Sequence, residues 1–158
     1  MTIAPTIRVQ TGDFDIAAEI AALGEGRGDV GAVVTFTGVC RDEGGRLGAL
    51  ELEHYPGMAE AEMARIAREA AARWPLAGIT VIHRSGRIGP GENIVLVATA
   101  STHRQAAFES AAFIMDFLKS DAPFWKKEHA ADGAEGGWVD ARETDEIALE
   151  KWRETSPR

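Results

Sequence analysis

The sequence predicts an α+β domain, with helices packed on a mainly antiparallel sheet. Two hydrophobic periods alternate along the chain: some segments repeat every second residue, as strands do, and others every three or four, as helices do. These segments follow the order strand, strand, helix, strand, strand, helix, which is typical of this fold class. A chain of 158 residues suits one domain, so we expect a single domain over 1–158, with 153–158 as a disordered tail.

The first half of the chain predicts two strands and a helix. Val30–Val39 is a continuous β-branched run bounded by glycine, which is typical of a buried strand. The Gly-Gly pair and the charges of Arg41–Gly48 predict an exposed loop after it. Ala49–Tyr55 alternates apolar and polar residues, as a half-buried strand does. Met58–Trp74 instead has helical spacing, and its apolar stripe consists of Met63, Ile66, Ala67 and Ala70.

The second half predicts two further strands and two helices. Gly78–Gly86 and Glu92–Ala100 have strand patterns, and the RIGPG sequence between them predicts a hairpin turn. One helix is predicted from about His103 to Leu118, and another from Glu143 to Trp152. The buried face of the first of these helices is expected to contain Ala107, Phe108, Ala111, Ile114, Met115 and Leu118.

Composition and charge restrict the functional class. The net charge of −8 argues against a general nucleic-acid binder, which needs a basic face. No apolar run approaches the roughly 20 residues of a membrane span, and the start of the sequence has neither the basic nor the apolar region of a signal peptide. We therefore expect a cytoplasmic protein that binds neither nucleic acid nor membrane. The acidic segment from Glu128 onward is typical of a solvated face, with a docking role as the alternative.

The lysines are concentrated in one segment, Leu118–His129. Three of the four lysines in the chain fall there: Lys119, Lys126 and Lys127. Pro123 cannot continue a helix, so residues 122–127 are expected to form a loop anchored by Phe124 and Trp125. Unlike arginine, a lysine that is desolvated or lies beside another cation can lose its proton at neutral pH and act as a nucleophile or general base.

Both ends of the second predicted helix carry basic residues. Thr102 is expected to be the N-cap of a capping box with Gln105 three residues on, which places His103 and Arg104 in the first turn. The helix dipole disfavours positive charge there, so either these side chains point into water or they grip an anion with the free backbone N–H groups. At the other end, the dipole favours Lys119, so a structural role is sufficient to explain it and a catalytic role is the alternative.

The loop after the first strand is another candidate site. Cys40 and Arg41 open it, and such loops often carry functional residues. Cys40 could be a nucleophilic thiol or, as a small apolar residue, could fill space at the strand end. A single cysteine forms neither an internal disulfide nor a thiolate cage, and no histidine pair has metal-ligand spacing, so we expect no metal site. His54 and His83 lie on strand patterns and are expected to be structural.

Several segments resemble the large, catalytic subunit of molybdopterin synthase. They occur in that family's order and cover roughly Val30–Trp152, nearly the whole chain. The segments are GAVVTFTG followed by Val-Cys-Arg, LELEHYPGM, RWPL, ITVIHRSG, the His103-Arg104 pair, FIMDFLK, APFWKKE and WVDARE. The resemblance implies an α/β hammerhead fold, which is compatible with the α+β order above.

The resemblance implies an enzyme of molybdenum-cofactor biosynthesis. Members of this family form a central homodimer with a small ubiquitin-like sulfur-carrier subunit at each end, giving a heterotetramer. The carrier's C-terminal Gly-Gly tail, activated as a thiocarboxylate, enters a pocket of the large subunit. Two sulfur transfers then convert cyclic pyranopterin monophosphate into the dithiolene of molybdopterin. No cofactor is implied, because the carrier supplies the sulfur.

The resemblance also implies roles for individual residues. Lys119 and Lys126 match the family's catalytic lysines. Arg41 matches a substrate-binding arginine, and His103 and Arg104 match an anion-binding pair expected to reach the site from the other subunit. The further substrate-contacting positions are Val39 (through its backbone), Cys40, Lys127, Glu128 and Arg142. Because the family takes its sulfur from the carrier, the resemblance argues against a catalytic thiol at Cys40.

Two other functions fit parts of the sequence. A non-catalytic metabolite-binding α+β module would use an anion site at His103-Arg104, but it gives no reason for retaining lysines where arginine binds anions as well. A stand-alone Schiff-base enzyme would use a lysine on a carbonyl substrate. The binding module would form no dithiolene from precursor and charged carrier, whereas the Schiff-base enzyme would give a borohydride-trapped adduct without carrier.

Overall fold

A computed structural model describes residues 3–121, 123–132, 147–150 and 152, and the backbone of 135–139. Its strands and helices are, in chain order, β1 (Thr6–Gln10), α1 (Ile16–Gly24), β2 (Ala32–Val39), β3 (Leu47–His54), α2 (Met58–Arg73), β4 (Leu76–Arg84), β5 (Gly86–Ile88), β6 (Asn93–Ser101), α3 (Arg104–Ser120), β7 (Phe124–Ala130) and β8 (Glu135–Val139). None of the helices described is both long enough and apolar enough to cross a membrane.

The strands form two sheets that are mainly antiparallel. The first sheet has the order β1-β4-β6-β2, in which the β1–β4 pair is parallel and the other described pairs are antiparallel. The second sheet has the order β5-β3-β7-β8, with antiparallel pairing throughout its described strands. This arrangement confirms the α+β prediction.

The connection between β4 and β6 is more than the predicted hairpin turn. The two strands pair antiparallel, as the sequence indicates. Between them, however, β5 leaves the first sheet and pairs with β3 in the second. Gly86 begins β5 with a φ of +85°, a conformation that glycine adopts without steric cost. The RIGPG segment therefore joins the two sheets.

Helices α2 and α3 pack on the first sheet and enclose the main core. The stripe predicted on α2 is fully buried: Met63, Ile66, Ala67 and Ala70. Burial of each large apolar side chain contributes about 1.5–3 kcal/mol. On α3 the prediction is wrong at Phe108, which is 61% exposed on the opposite side of the helix from the buried residues. Phe113 is fully buried instead and contacts Trp74 and Phe117.

Strand β2 lies at the edge of the first sheet, which corrects the prediction of a buried strand. It pairs with β6 on one side, and no described strand pairs with its other side. Val33, Phe36 and Val39 are exposed along it. A continuous apolar run predicts a strand that is buried on both faces. In the single chain, however, this run forms an edge strand with apolar side chains exposed to solvent.

Residues Phe124–Ala130 form β7, whereas the sequence predicted a loop over 122–127. The strand pairs with β3 from Ala49 to His54 in regular antiparallel register. Pairing with a strand far away in the sequence therefore outweighs the local loop signal of Pro123 and the charged residues. The partner strand is also longer than predicted, because β3 begins at Leu47 and shortens the preceding loop.

The start of α3 corrects the predicted capping box. The helix begins at Arg104, with His103 as N-cap, and no side chain caps it. The Thr102 hydroxyl instead donates to the carbonyl oxygen of Asp29 at 3.1 Å. His103 therefore precedes the first turn, and Arg104 opens it.

The two ends of the chain complete the fold. Strand β1 and helix α1 had no counterpart in the sequence prediction; Asp15 caps α1 by accepting a hydrogen bond from the backbone N–H of Ala18. The predicted C-terminal helix is confirmed at 147–150 and 152, and the rest of it and the predicted tail at 153–158 lie outside the described residues. The Trp152 ring lies edge-on to Trp74 and Phe113.

Candidate active site

Strand β7 places its two lysines on opposite faces of the second sheet. In the antiparallel register Lys126 lies opposite Leu52, and Lys127 lies opposite Glu51. Successive side chains of a strand alternate between faces, and residues directly opposite each other share a face. The structure therefore separates Lys127 from Lys126, although they are neighbours in the sequence.

The face that carries Lys126 turns toward the first sheet. Phe124 and Glu128 share this face, each about 6.8 Å from Lys126 along the strand. The Phe124 ring stacks on the imidazole of His83, at the end of β4, with ring centroids 3.8 Å apart and planes 16° apart. His54, at the end of β3, stacks on the same phenyl ring at 5.8 Å. These three rings mark the junction of the two sheets.

Lys119 is the other lysine that the resemblance implies to be catalytic. It is an exposed residue in the last turn of α3, a few residues before β7 begins. Burial, together with the weaker effect of the charges of His54 and Lys119, lowers the pKa of the His83 imidazole to about 4. Lys119 is therefore close enough to His83 to act on its charge. Lys119 and Lys126 thus belong to two different elements, α3 and β7, which follow each other in the chain.

Lys127 belongs to a separate polar group on the outer face of the second sheet. His129 Nε2 lies 3.0 Å from Glu51 Oε1. This contact with His129 and the charge of Lys127 hold the pKa of Glu51 below its usual range. The surroundings of Lys127 are therefore those of a charged strand surface, remote from the face of Lys126.

Arg41 borders an open depression next to the end of β2. The depression has a volume of about 530 Å³ and is lined by Cys40, Arg41, Asp42, Glu43, Gly44, Pro90 and Gly91. The Arg41 side chain is exposed and makes no ion pair with the described residues. Its guanidinium is therefore available to a ligand anion. Val39, two residues before Arg41, has an exposed side chain and lies at an irregularity in the β2–β6 register.

Cys40 is a packing residue. Its side chain is 2% exposed, in a cluster with Leu50, Leu52 and Ile88. Burial and the charge of Glu92 raise the pKa of its thiol, whereas Lys126 opposes this shift. Its backbone N–H donates to Glu92, and its carbonyl accepts from Gly91. This burial disfavours a nucleophilic thiol, whereas the expected substrate contact at Cys40 stays a prediction.

His103 and Arg104 lie at the far end of α3 from Lys119. Fifteen residues of helix between Arg104 and Lys119 correspond to about 22 Å along the axis. Both basic side chains are exposed. Within one chain, His103 and Arg104 are therefore too far from Lys119 to act at the same site. The basic pair lies at the start of α3, and Lys119 lies at its end.

Two further expectations concern residues beyond these elements. Arg142 lies outside the described residues, so its position relative to the lysines stays a prediction. Within the part of the chain that the structure describes, no group of three His, Cys, Asp or Glu side chains could hold a metal ion.

Sequence reasoning missed the importance of the His83–Phe124–His54 stack. The two histidines were expected to be structural, and Phe124 to be a loop anchor. No spacing pattern could have joined them, because they come from three strands and meet only when β7 pairs with β3.

Comparison with known proteins gives the family. The chain matches the family model described as MoaE protein over residues 9–121. The molybdopterin synthase catalytic subunit of Mesorhizobium japonicum is 70% identical over 98% of this chain and 97% of that protein. The MoaE structure from Burkholderia ambifaria MC40-6 has a TM-score of 0.82 and 50% identity, covering 96% of this chain and 99% of that one. The molybdopterin synthase structure from Staphylococcus aureus has a TM-score of 0.75 and 29% identity, covering 84% and 96%.

The fold is that of a two-sheet α+β protein with helices packed on the first sheet. Since the family model matches most of the chain and full-length relatives are this similar, the chain belongs to the MoaE family.

Proposed function

We propose that this protein is the catalytic subunit of molybdopterin synthase. It transfers sulfur from the thiocarboxylated C-terminus of a small carrier subunit to cyclic pyranopterin monophosphate, forming the dithiolene of molybdopterin. Relatives that carry this name match the chain over nearly its whole length. The structural observation that supports the proposal is the placement of Lys126 on the same face of β7 as Phe124, which stacks on His83, with the charge of Lys119 acting on the same imidazole.

The lysines perform the transfer in this proposal. Lys119 lies beside the carrier's terminal thiocarboxylate, assists attack of its sulfur on the precursor carbon and stabilises the developing oxyanion. Lys126 is the acid–base partner or fixes the substrate's charge. Water then cleaves the bond between the carrier's acyl group and the sulfur, releasing the spent carrier as a carboxylate. A second charged carrier supplies the second sulfur.

The phosphate of the substrate is held by basic residues from two subunits. Arg41 faces the open depression of one chain. His103 and Arg104 are about 22 Å from Lys119 along α3, so they serve the site of a second copy. The exposed apolar edge of β2 supports such a homodimer, because Val33 and Phe36 would be covered by it.

The remaining positions have smaller roles. Glu128 shares the face of Lys126 and contacts the substrate beside it. Val39 and Arg142 make peripheral contacts, and Lys127 lies on the outer face, where it contributes little. The enzyme needs no cofactor of its own, because the carrier brings the sulfur, and it works in the cytoplasm with carrier and substrate.

Reconstitution tests this function. The purified chain, thiocarboxylated carrier and pyranopterin precursor should yield molybdopterin, measured as its fluorescent oxidation product. The Lys119→Ala variant should nearly abolish product formation. It should leave carrier binding largely intact, because removing an exposed side chain leaves the fold that binds the carrier unchanged. Activity above about a tenth of wild type in that variant would refute the role of Lys119, since loss of the oxyanion partner costs at least tenfold.

A further inference from the structure

Arg84 is a buried cation to which the proposed transfer assigns no task. It is the last residue of β4 and is 8% exposed. Its Nε and Nη2 donate to the backbone carbonyl oxygen of Thr11 at 3.1 and 3.0 Å, and its Nη1 donates to the carbonyl oxygen of Asn93 at 2.8 Å. The guanidinium therefore joins the end of β4 to the segment after β1 and to the start of β6, and it is a fixed positive charge at this end of the first sheet.

The carboxylate of Glu92 connects this cation to the turn that precedes β6. Its Oε2 lies 3.8 Å from Arg84 Nη1 and accepts a hydrogen bond from the backbone N–H of Gly89 at 2.6 Å. The backbone N–H of Glu92 donates to the carbonyl oxygen of Gly89 at 3.1 Å, which closes a turn over residues 89–92. Glu92 therefore holds the two ends of this turn together with its backbone and with its side chain.

The same turn pairs with the chain where it leaves β2. The backbone N–H of Cys40 donates to the carbonyl oxygen of Glu92 at 2.9 Å, and the backbone N–H of Gly91 donates to the carbonyl oxygen of Cys40 at 2.7 Å. Arg41 follows this pair directly, and Cys40, Arg41, Pro90 and Gly91 are among the residues that line the open depression. The turn therefore forms part of the wall of the depression and fixes the backbone from which the Arg41 side chain starts.

The charge of Glu92 argues against a direct contact with the substrate, because a carboxylate beside an anion site repels a phosphate. Its side chain is 54% exposed, so its ion pair with Arg84 contributes little to stability. The hydrogen bond to the Gly89 N–H is short and charge-assisted, and it is the stronger of the two contacts. The geometry therefore favours a role in holding the turn.

We propose that Glu92 is a positioning residue for substrate binding: its carboxylate, next to the buried guanidinium of Arg84, holds the turn at residues 89–92 on the backbone of Cys40, so that the Arg41 guanidinium faces the depression and binds the substrate's phosphate. The proposal rests on the proposed function, in which Arg41 holds this phosphate. Glu92 acts through Arg41 and needs no contact of its own with the substrate.

Two substitutions separate the hydrogen bond from the charge. Glu92→Asp keeps the charge but withdraws the carboxylate from the Gly89 N–H, so the dissociation constant of the pyranopterin precursor should rise about tenfold, as in Glu92→Ala. Glu92→Gln loses the charge but keeps an oxygen for the same N–H, so it should stay within about threefold of wild type. A residue that acted only through its charge would give the opposite order.

Calorimetry measures this binding in the complex with a carrier that lacks the thiocarboxylate sulfur, so that no turnover occurs. Glu60→Ala is the matched control, because Glu60 accepts a hydrogen bond from the backbone N–H of Gly57, three residues before it, at the start of α2. Its dissociation constant should stay within about twofold of wild type. With charged carrier and saturating precursor, the rate of Glu92→Ala should also stay within about twofold of wild type, because positioning of this kind affects binding and leaves the chemical step unchanged.

A double-mutant cycle tests whether Glu92 acts through Arg41. In an Arg41→Ala background, Glu92→Ala should weaken precursor binding no further. A further loss there would overturn the proposal, as would unchanged binding in Arg41→Ala, a Glu92→Gln variant as weak as Glu92→Asp, or an equal loss in Glu60→Ala. Glu92→Asp and Glu92→Gln decide the proposal even if Glu92→Ala fails to fold. Failure of the wild-type complex to form molybdopterin with charged carrier would instead refute the proposed function, and the binding measurements would still decide the role of Glu92.

Discussion

Replacing His83 by phenylalanine should make the protein's stability less sensitive to mild acid. The folded chain keeps the pKa of this imidazole at about 4, whereas its ordinary value is 6.5, because burial and the charges of His54 and Lys119 disfavour the imidazolium. Above pH 6.5 the ring is neutral in both folded and unfolded chains. Between pH 6.5 and 4 the unfolded chain binds a proton that the folded chain does not, so the free energy of unfolding falls as the pH falls.

The magnitude follows from the difference between the two pKa values. Each pH unit below 6.5 removes about 1.4 kcal/mol from the free energy of unfolding, which amounts to about 2 kcal/mol at pH 5. The loss reaches a limit of about 3 kcal/mol below pH 4, where the folded ring is protonated as well. Carboxylates with lowered pKa, such as Asp13 and Glu51, add their own losses in acid. Because wild type and His83→Phe share these carboxylates, the difference between their free energies of unfolding excludes the carboxylate contribution.

Urea unfolding at pH 7.5 and pH 5.0 measures the effect. The free energy of unfolding of wild type should fall by about 2 kcal/mol more than that of His83→Phe between these two values. His54→Phe, which retains the half-buried His83, should follow wild type. Equal losses in wild type and His83→Phe would show that His83 is already charged, or is solvated, in the folded protein, and would refute its neutral state.

Three other predictions concern the site. Lys126→Ala should lower the rate of dithiolene formation by about 10- to 100-fold, the effect of one lost charge-assisted contact, whereas Lys127→Ala on the outer face should change it less than about threefold; equal losses would contradict the two-face assignment. Mixed dimers of Lys119→Ala and Arg104→Ala chains should recover activity that neither homodimer has, because one of their two sites is then intact; inactive mixtures would place both groups in one chain's site. Cys40→Ala should retain transfer within about twofold, and the wild-type thiol should resist iodoacetamide at pH 8 until urea unfolds the chain.

The sequence predicted α2, α3, β4 and β6 well because their signals are local. The apolar stripe of α2 repeats at helical spacing, and each of its four residues is fully buried. β4 and β6 are long β-branched runs with a turn sequence between them, and they pair as expected. Phe108 shows the limit of this reasoning, because an apolar residue on the exposed side of α3 has the same local composition as one on the buried side.

The site was harder to predict because its geometry depends on contacts between distant segments. Pro123 and the neighbouring charges favour a loop, and only pairing with β3 makes the segment a strand. Once it is a strand, alternation decides that Lys126 faces the first sheet and Lys127 does not. The stack of His83 on Phe124 depends on the same pairing, since Phe124 reaches the imidazole only from the start of β7. The burial of Cys40 likewise depends on Leu50, Leu52 and Ile88 from other strands.

The charges at the two ends of α3 support a site shared between two copies of the chain. Lys119 in the last turn is favoured by the helix dipole, whereas Arg104 in the first turn is disfavoured by it, and that turn contains no acidic residue to compensate. Such an arrangement becomes favourable when an anion binds the free N–H groups and the guanidinium together. The anion bound there cannot be the one at Lys119 of the same chain, about 22 Å away along the helix. A substrate phosphate in the site of the other subunit would bind the first turn of α3, while Lys119 at the last turn serves the site of its own chain. The homodimer therefore explains the unfavourable charge in the first turn best.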